Sequence, residues 1–451
     1  MKTALKPLVL AAALGAGFLS IQASHAEAPA ASVTQQRAVA GFSAIELSGP
    51  YQVVVRAQGR QAVQLSGDPK QLAEIETFVR GDTLVVRPVQ RNGFHFSWGK
   101  RETPTISITA GQLKSLKMSG SGDVELAQLA GDSFTLSVDG PGDLQASGAV
   151  RELALRSSGS GDVDLHRLKA ANVNLTQSGP GDVRLSGVGN ELAATLSGPG
   201  DLEADDLRLA RLSARLDGPG SMKLSGSARE LRAEIGGSGD FEACALAAEA
   251  VSTVQQGPGS ACVAGSIKKF DAQVNGSGSL EARGLQAASA IVRLGGPGSA
   301  KLDGSIGELT ADVSGSGDLD ARGLKVRRAA LKASGPGDIE LAGVSDILDA
   351  ELHGSGGLNA SIDGKRLLLK ISGPGSAHID GNVELVKARI SGSGGLEGRG
   401  LTAGRADISV TGPSSAAVKV NGQDERRKAA RGERQAALLL IDRNGSRQNA
   451  P

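Results

Sequence analysis

The sequence predicts an all-β fold: a parallel β-helix, or solenoid, of roughly sixteen coils of about 19–20 residues with an N-terminal β cap. Three observations carry that prediction. A tetrapeptide G-[S/P]-G-[D/S/G], slipping only at its last copy, recurs sixteen times from Gly120-Ser121-Gly122-Asp123 to Gly412-Pro413-Ser414-Ser415, and its spacing never varies by more than a single residue. A period that short has room for one coil that packs only on its neighbours. After each motif polar and apolar residues alternate, as in Asp318-Leu319-Asp320-Ala321 and Ser299-Ala300-Lys301-Leu302, and a period of two means strand. Side-chain size alternates as well. Leu280 and Ala282 in one coil face Ala300 and Leu302 in the next, so large lies over small and stacked layers fill without voids. The second motif residue alternates Ser and Pro, a two-coil super-repeat of about 39 residues that only Pro199 interrupts.

Met1 to Ala26 reads as a signal peptide, with Lys2 and Lys6 before an apolar run from Leu8 to Ile21 and Ser24-His25-Ala26 as a small-x-small cleavage site. Residues 27–37 read as a flexible leader. Residues 38–118 read as the N-terminal cap and approach to the solenoid, holding six of the nine aromatics that follow the leader peptide: Phe42, Tyr51, Phe78, Phe94, Phe96 and Trp98. The array, 119–420, should form a rod of roughly 75 Å, each coil being two or three short strands joined by tight turns. Its second places, Val124, Leu144, Val163, Val183, Leu202, Met222 and Phe241, would stack into one wall of the core. The motif glycines are expected to supply corner angles closed to other residues, and the serines before them (Ser119, Ser158, Ser178, Ser197) a hydrogen-bonded ladder. Residues 421–451 form either a charged tail or a cap helix over Asp424 to Arg443 that lays Leu438 to Ile441 on the last coil.

The opening Gly41-Phe42-Ser43-Ala44-Ile45-Glu46-Leu47-Ser48-Gly49, the strand Tyr51-Gln52-Val53-Val54-Val55, the segment Gly81-Asp82-Thr83-Leu84-Val85-Val86 and the S-G-S-G-D-V coils resemble the head GIN domain family, also called "putative auto-transporter adhesins", over residues 38 to 420. The resemblance implies a β-helical, exported bacterial protein and transfers no catalytic or binding residue. Self-translocation needs a membrane barrel of many alternating strands with aromatic girdles. With only the short stretch from Asn421 to Pro451 after the array, and one Tyr and one Trp in all, that route is not expected here.

Lys plus Arg number 49 against 48 Asp plus Glu, a balance that argues against a nucleic-acid partner. No segment after the leader peptide is apolar for long enough to cross a bilayer. Asp123, Asp143, Asp162, Asp182 and Asp201 follow five successive motifs and should form an acidic column. Ser takes their place six times elsewhere and Gly twice, which fits bonding to turn amides and makes the column only a weak candidate for a divalent ion. No cofactor is implied. A polysaccharide lyase or hydrolase would need carboxylates converging in a cleft, whereas charges here are dispersed and His95, His166, His353 and His378 lack metal-ligand spacing.

Two further groups stand out. Phe94, Phe96 and Trp98 alternate within a basic segment containing Arg91, Lys100 and Arg101; they either cover the first coil or contact an anionic glycan, a lipid surface or a protein. Cys244 and Cys262 fall in adjacent coils, about 8 Å apart on an ideal ladder, so a modest corner shift would let them bridge. The sequence therefore points to a monomeric, non-enzymatic exported solenoid of the periplasm or cell surface, acting as an adhesin-like binding or structural module toward an envelope glycan or protein. The alternatives are a carbohydrate-active β-helix and a surface-sensing partner of a membrane protein.

Overall fold

The computed structural model describes residues 32–89, 103–421, 423–428 and 438–440. The chain winds as a parallel β-solenoid of about fifteen turns. In the coil Leu319–Ala333 the inward side chains are Leu319 and Ala321, then Leu324 and Val326, then Ala329, Leu331 and Ala333. The exposed pairs Arg322-Gly323 and Arg327-Arg328 lie between these groups, so a coil has three faces, named first to third in chain order. Most coils are one strand of 14 or 15 residues bent through its corners, not two or three separate strands. The ladder to neighbouring coils runs through the corners with only small register shifts, as bulges allow. Leu280 stacks on Ala300 and Ala282 on Leu302, as the alternation of size requires.

The motif glycines correct one expectation. From Gly120 to Gly375 none of them has a positive φ, so backbone freedom is not their reason. Both glycines of a motif instead face inward against the preceding coil. A Cβ on Gly159 would sit 1.9 Å from the Gly140 oxygen, and one on Gly161 would sit 1.9 Å from the Gly142 oxygen. The coils touch backbone to backbone along this column. Ser158 N donates to Val138 O at 2.9 Å and Gly161 N to Gly140 O at 3.4 Å, while the outward middle residue takes no part in these bonds, which is why Pro serves there as well as Ser.

The super-repeat has a deeper cause than Ser and Pro. From Gly120 to Gly354 longer and shorter coils alternate strictly, differing by one residue, and the missing residue falls on the second face. Longer coils place a leucine there at Leu129, Leu168, Leu207, Leu246, Leu285 and Leu324, whereas several shorter ones place a glycine. Register stacks Gly148 between Leu129 and Leu168, Gly226 between Leu207 and Leu246, and Gly304 between Leu285 and Leu324. These three glycines do adopt positive φ, +137°, +123° and +135°. Leu207 keeps its place although Pro199 breaks the Ser/Pro alternation, so coil length governs the repeat.

The N-terminal region comprises β1 (Val33–Arg37), β2 (Ala44–Leu47), β3 (Gln52–Arg56), β4 (Ala62–Gly67), the short helix α1 (Pro69–Leu72), β5 (Ile75–Arg80), β6 (Thr83–Pro88), β7 (Thr105–Thr109), β8 (Ser115–Met118) and β9 (Val124–Val138). β2 lies parallel between β6 and β8, and β3 between β7 and β9. Winding therefore begins at Ala44, ahead of the expected boundary at 118. Gly49-Pro50-Tyr51 stands where later coils have G-P-G, and the chain passes from this coil out to the terminal one before returning at β8. Tyr51 is 2% exposed, and burial, reinforced by the negative charge of Glu74, drives its phenol pKa far upward. Antiparallel strands cover the outer edge: β4 on β7, β1 on β4 and β5 on β6, so Val33–Arg37, expected within a flexible leader, is instead a paired edge strand because the open edge of β4 offers it backbone partners.

At the other end the charged segment differs from both expectations, the helix and the tail. Gln423–Lys428 pairs antiparallel with Ser415–Val420, and Leu438–Leu440 pairs antiparallel with it in turn. The open edge of the last coil offers backbone donors and acceptors to any following segment, and that outweighs helical periodicity.

Candidate functional site

The acidic column is built by the coil pitch. Each aspartate that follows a motif has its Oδ1 beside the main-chain amide at the same place in the next coil. Asp162 N donates to Asp143 Oδ1 at 2.9 Å, Asp182 N to Asp162 Oδ1 at 3.0 Å, Asp201 N to Asp182 Oδ1 at 2.9 Å and Asp143 N to Asp123 Oδ1 at 3.2 Å. Ser221 N donates to Asp201 Oδ1 at 2.7 Å, and Asp240 N reaches Ser221 Oγ at 3.4 Å, so a hydroxyl continues the chain. The amides are those of the neighbouring coil, not of the residue's own turn. That is the signal a one-dimensional reading misses.

Cations interleave with the column. Arg184 lies 3.8 Å from Asp162 and 4.0 Å from Asp182, and Lys223 lies 3.4 Å from Glu203. Asp182, Arg184, Asp201, Glu203, Ser221, Lys223 and Glu242 line an open groove. Burial acts to raise the neighbouring Asp164, but hydrogen bonds from the side chain and backbone of His166 outweigh it and hold the carboxyl below its ordinary range. Among the described residues no group of three or more His, Cys, Asp and Glu side chains is placed to hold a metal. Replacing Asp162 with Ala is expected to cost about 1 kcal/mol, the net worth of one such hydrogen bond. Ser should restore most of it, and EDTA should leave the melting temperature unchanged. A melting temperature that falls on chelation and recovers with calcium would assign the column to a cation instead.

Of the other residues singled out by sequence, Cys244 and Cys262 are joined, with Cα atoms 5.2 Å apart. The register shift between Ala243 and Ala247 turns Cys244 toward the adjacent coil. Arg91, Phe94, Phe96, Trp98, Lys100 and Arg101 lie outside the described residues, between the end of β6 and the start of β7. The described histidines, His166, His353 and His378, stay apart, and His95 lies outside the described residues. His166 meets Asp164, His353 Nε2 lies 3.3 Å from Glu351, and His378 Nε2 lies 3.3 Å from Asp380.

Fold and column together define a β-solenoid in which one column of polar side chains bonds each coil to the next. The chain belongs to the family described as "Putative auto-transporter adhesin, head GIN domain", whose profile matches residues 41–222, 188–284, 225–303, 265–359 and 344–427. The overlapping matches run along the array. No curated protein matches the chain. Similar solved structures include a putative adhesin from Bacteroides fragilis (18% identity, 65% of this chain and 98% of that one, TM-score 0.23). Another is a putative adhesin from Parabacteroides distasonis (18% identity, 64% and 97%, TM-score 0.32). A third, from the same species, is described as a putative lipid binding protein (15% identity, 81% and 96%, TM-score 0.20).

Proposed function

We propose that this chain is an exported, non-enzymatic solenoid that serves the bacterial envelope as an adhesin-like binding module. The uniformity of the coil is the main support: from Gly120 to Gly412 the motif spacing never varies by more than one residue, so no insertion walls off a reaction cleft. Family membership across the array is in keeping with that reading. Export rests on the signal-like residues 1–26, which lie outside the described residues. The aromatic, basic segment around Trp98 supplies the anchor type of contact that the aromatic-poor array lacks.

Cell fractionation with and without residues 2–26 tests export, and binding of the purified chain to isolated envelopes tests the module. The full chain should leave the cytosol only when the leader is present. Envelope binding should be saturable and should fall with Trp98→Ala at an unchanged melting temperature. Cytosolic retention of the full chain, or release of reducing sugar from envelope polysaccharide, would overturn the reading.

A further inference from the structure

On the third face the strands Leu358–Ile371, Ala377–Ser391 and Gly395–Thr411 lie side by side. Their outward residues form a grid: Arg366, Leu368 and Lys370, then Leu385, Lys387 and Arg389, then Arg405, Asp407 and Ser409. Five cations meet one carboxylate. Nearer the N-terminus on the same face, several arginines are neutralised: Arg211 pairs with Glu191, Arg215 with Asp217 and Glu234, and Arg293 with Asp271. In the grid, Lys370 reaches Glu351 at 3.6 Å, but among the described residues no carboxylate comes within ion-pair distance of Arg366, Lys387, Arg389 or Arg405. Leu368 and Leu385 are half-exposed diagonal neighbours amid these charges. In the column of Leu368 other coils place mostly small or polar residues, such as Ala154, Asn174, Ala193 and Ser213, with Ile291 the other large apolar side chain and Asp349 next to Leu368 itself. Asp349, Leu368, Lys370, Lys387 and Arg389 line a shallow depression there.

Strand spacing makes the grid about 10 Å across and about 14 Å along, on a rigid, flat ladder. Fixed cations around two large apolar side chains suit an occupant with negative charge at its surface and hydrocarbon just beneath. We propose that this face docks on an anionic lipid surface, with Arg366, Lys387, Arg389 and Arg405 drawn to headgroup phosphates and Leu368 and Leu385 entering the acyl boundary. The acidic column of a second copy would match the charges and the coil spacing. It offers the leucines nothing apolar, however, since Glu125, Gln145, Asp164, Arg184 and Glu203 stand beside it. The proposal goes beyond the adhesin-like reading and does not depend on it.

The full chain is sedimented with vesicles of phosphatidylcholine alone and with about a third phosphatidylglycerol, a content that gives a negative surface potential. Binding should require phosphatidylglycerol and weaken with salt. The triple variant Arg366→Gln, Lys387→Gln, Arg389→Gln should lower partitioning by about a hundredfold, and Leu368→Ser with Leu385→Ser by about tenfold. All five positions face outward, so circular dichroism should be unchanged. The equal charge change Lys169→Gln, Arg208→Gln, Lys325→Gln, at outward positions of the second face, should leave binding unaltered. Equal binding to both vesicles, no binding, or an equal loss in that control would overturn the proposal. So would binding that ignores the leucine pair and is competed by soluble polyglutamate, or self-association without vesicles that the triple variant abolishes; these would reassign the face to an acidic polymer or a second copy.

Discussion

Replacing Gly161 with Ala is expected to destabilise its coil by about 3 kcal/mol or more, because overpacking here has no rotamer to relax into. The added Cβ would lie 1.9 Å from the Gly142 oxygen and 2.5 Å from its carbonyl carbon. Those atoms are main chain, held by bonds to coils on both sides. The two coils can accept a methyl group only by separating, and separation breaks the inter-coil bonds of the motif. Gly131→Ala is the matched control, since nothing lies within 4 Å of a Cβ there and its φ is not positive. Denaturant unfolding of the two variants beside the parent chain measures the difference. If Gly161→Ala unfolds like the parent, the motif glycines do not set the coil spacing.

The second large effect is expected from the Cys244–Cys262 bridge, which joins coils across 18 residues of sequence. Closing a loop of that length removes entropy from the unfolded chain worth about 3 kcal/mol. In a solenoid the loss should appear locally, because each coil answers mainly to its neighbours. Cys244→Ser with Cys262→Ser should therefore open the region around residues 241–267 to limited proteolysis before the ends of the rod are attacked. Thiol titration of the denatured, unreduced parent should find none free. Two free thiols there, or cleavage no faster than in the parent, would remove the bridge from the account of stability.

Sequence made the coil plain because both of its signals are local. The motif recurs at a fixed step, and alternation marks the inward side chains wherever a strand runs straight. What escaped depends on which coil lies beneath which. The motif glycines look like turn residues until Gly142 is seen beneath Gly161. The first winding was hidden because Tyr51 replaces the second glycine of its motif. Gln177 and Gln255, 0% and 1% exposed, occupy inward places where alternation calls for apolar side chains. Their Nε2 groups donate to the carbonyls of Gly181 and Gly259, while each Oε1 finds no partner among the described residues. The candidate sites were legible only as single residues. Arg366, Leu385 and Arg405 become neighbours through register alone, whereas the five aspartates were visible as a column but not as acceptors for the amides of the coils above.

The alternation of longer and shorter coils also constrains how such a gene can change length. Removing one shorter winding from the interior would bring two long coils together and set leucine against leucine on the second face, in space that a glycine such as Gly226 now leaves free. Removing or copying two adjacent windings preserves the pattern of contacts. The protein should therefore grow and shrink in units of two, and natural or engineered variants of different span should differ by an even number of turns between Gly120 and Gly354. The ancestral duplicating segment, on this view, was a pair of coils rather than the tetrapeptide that first catches the eye.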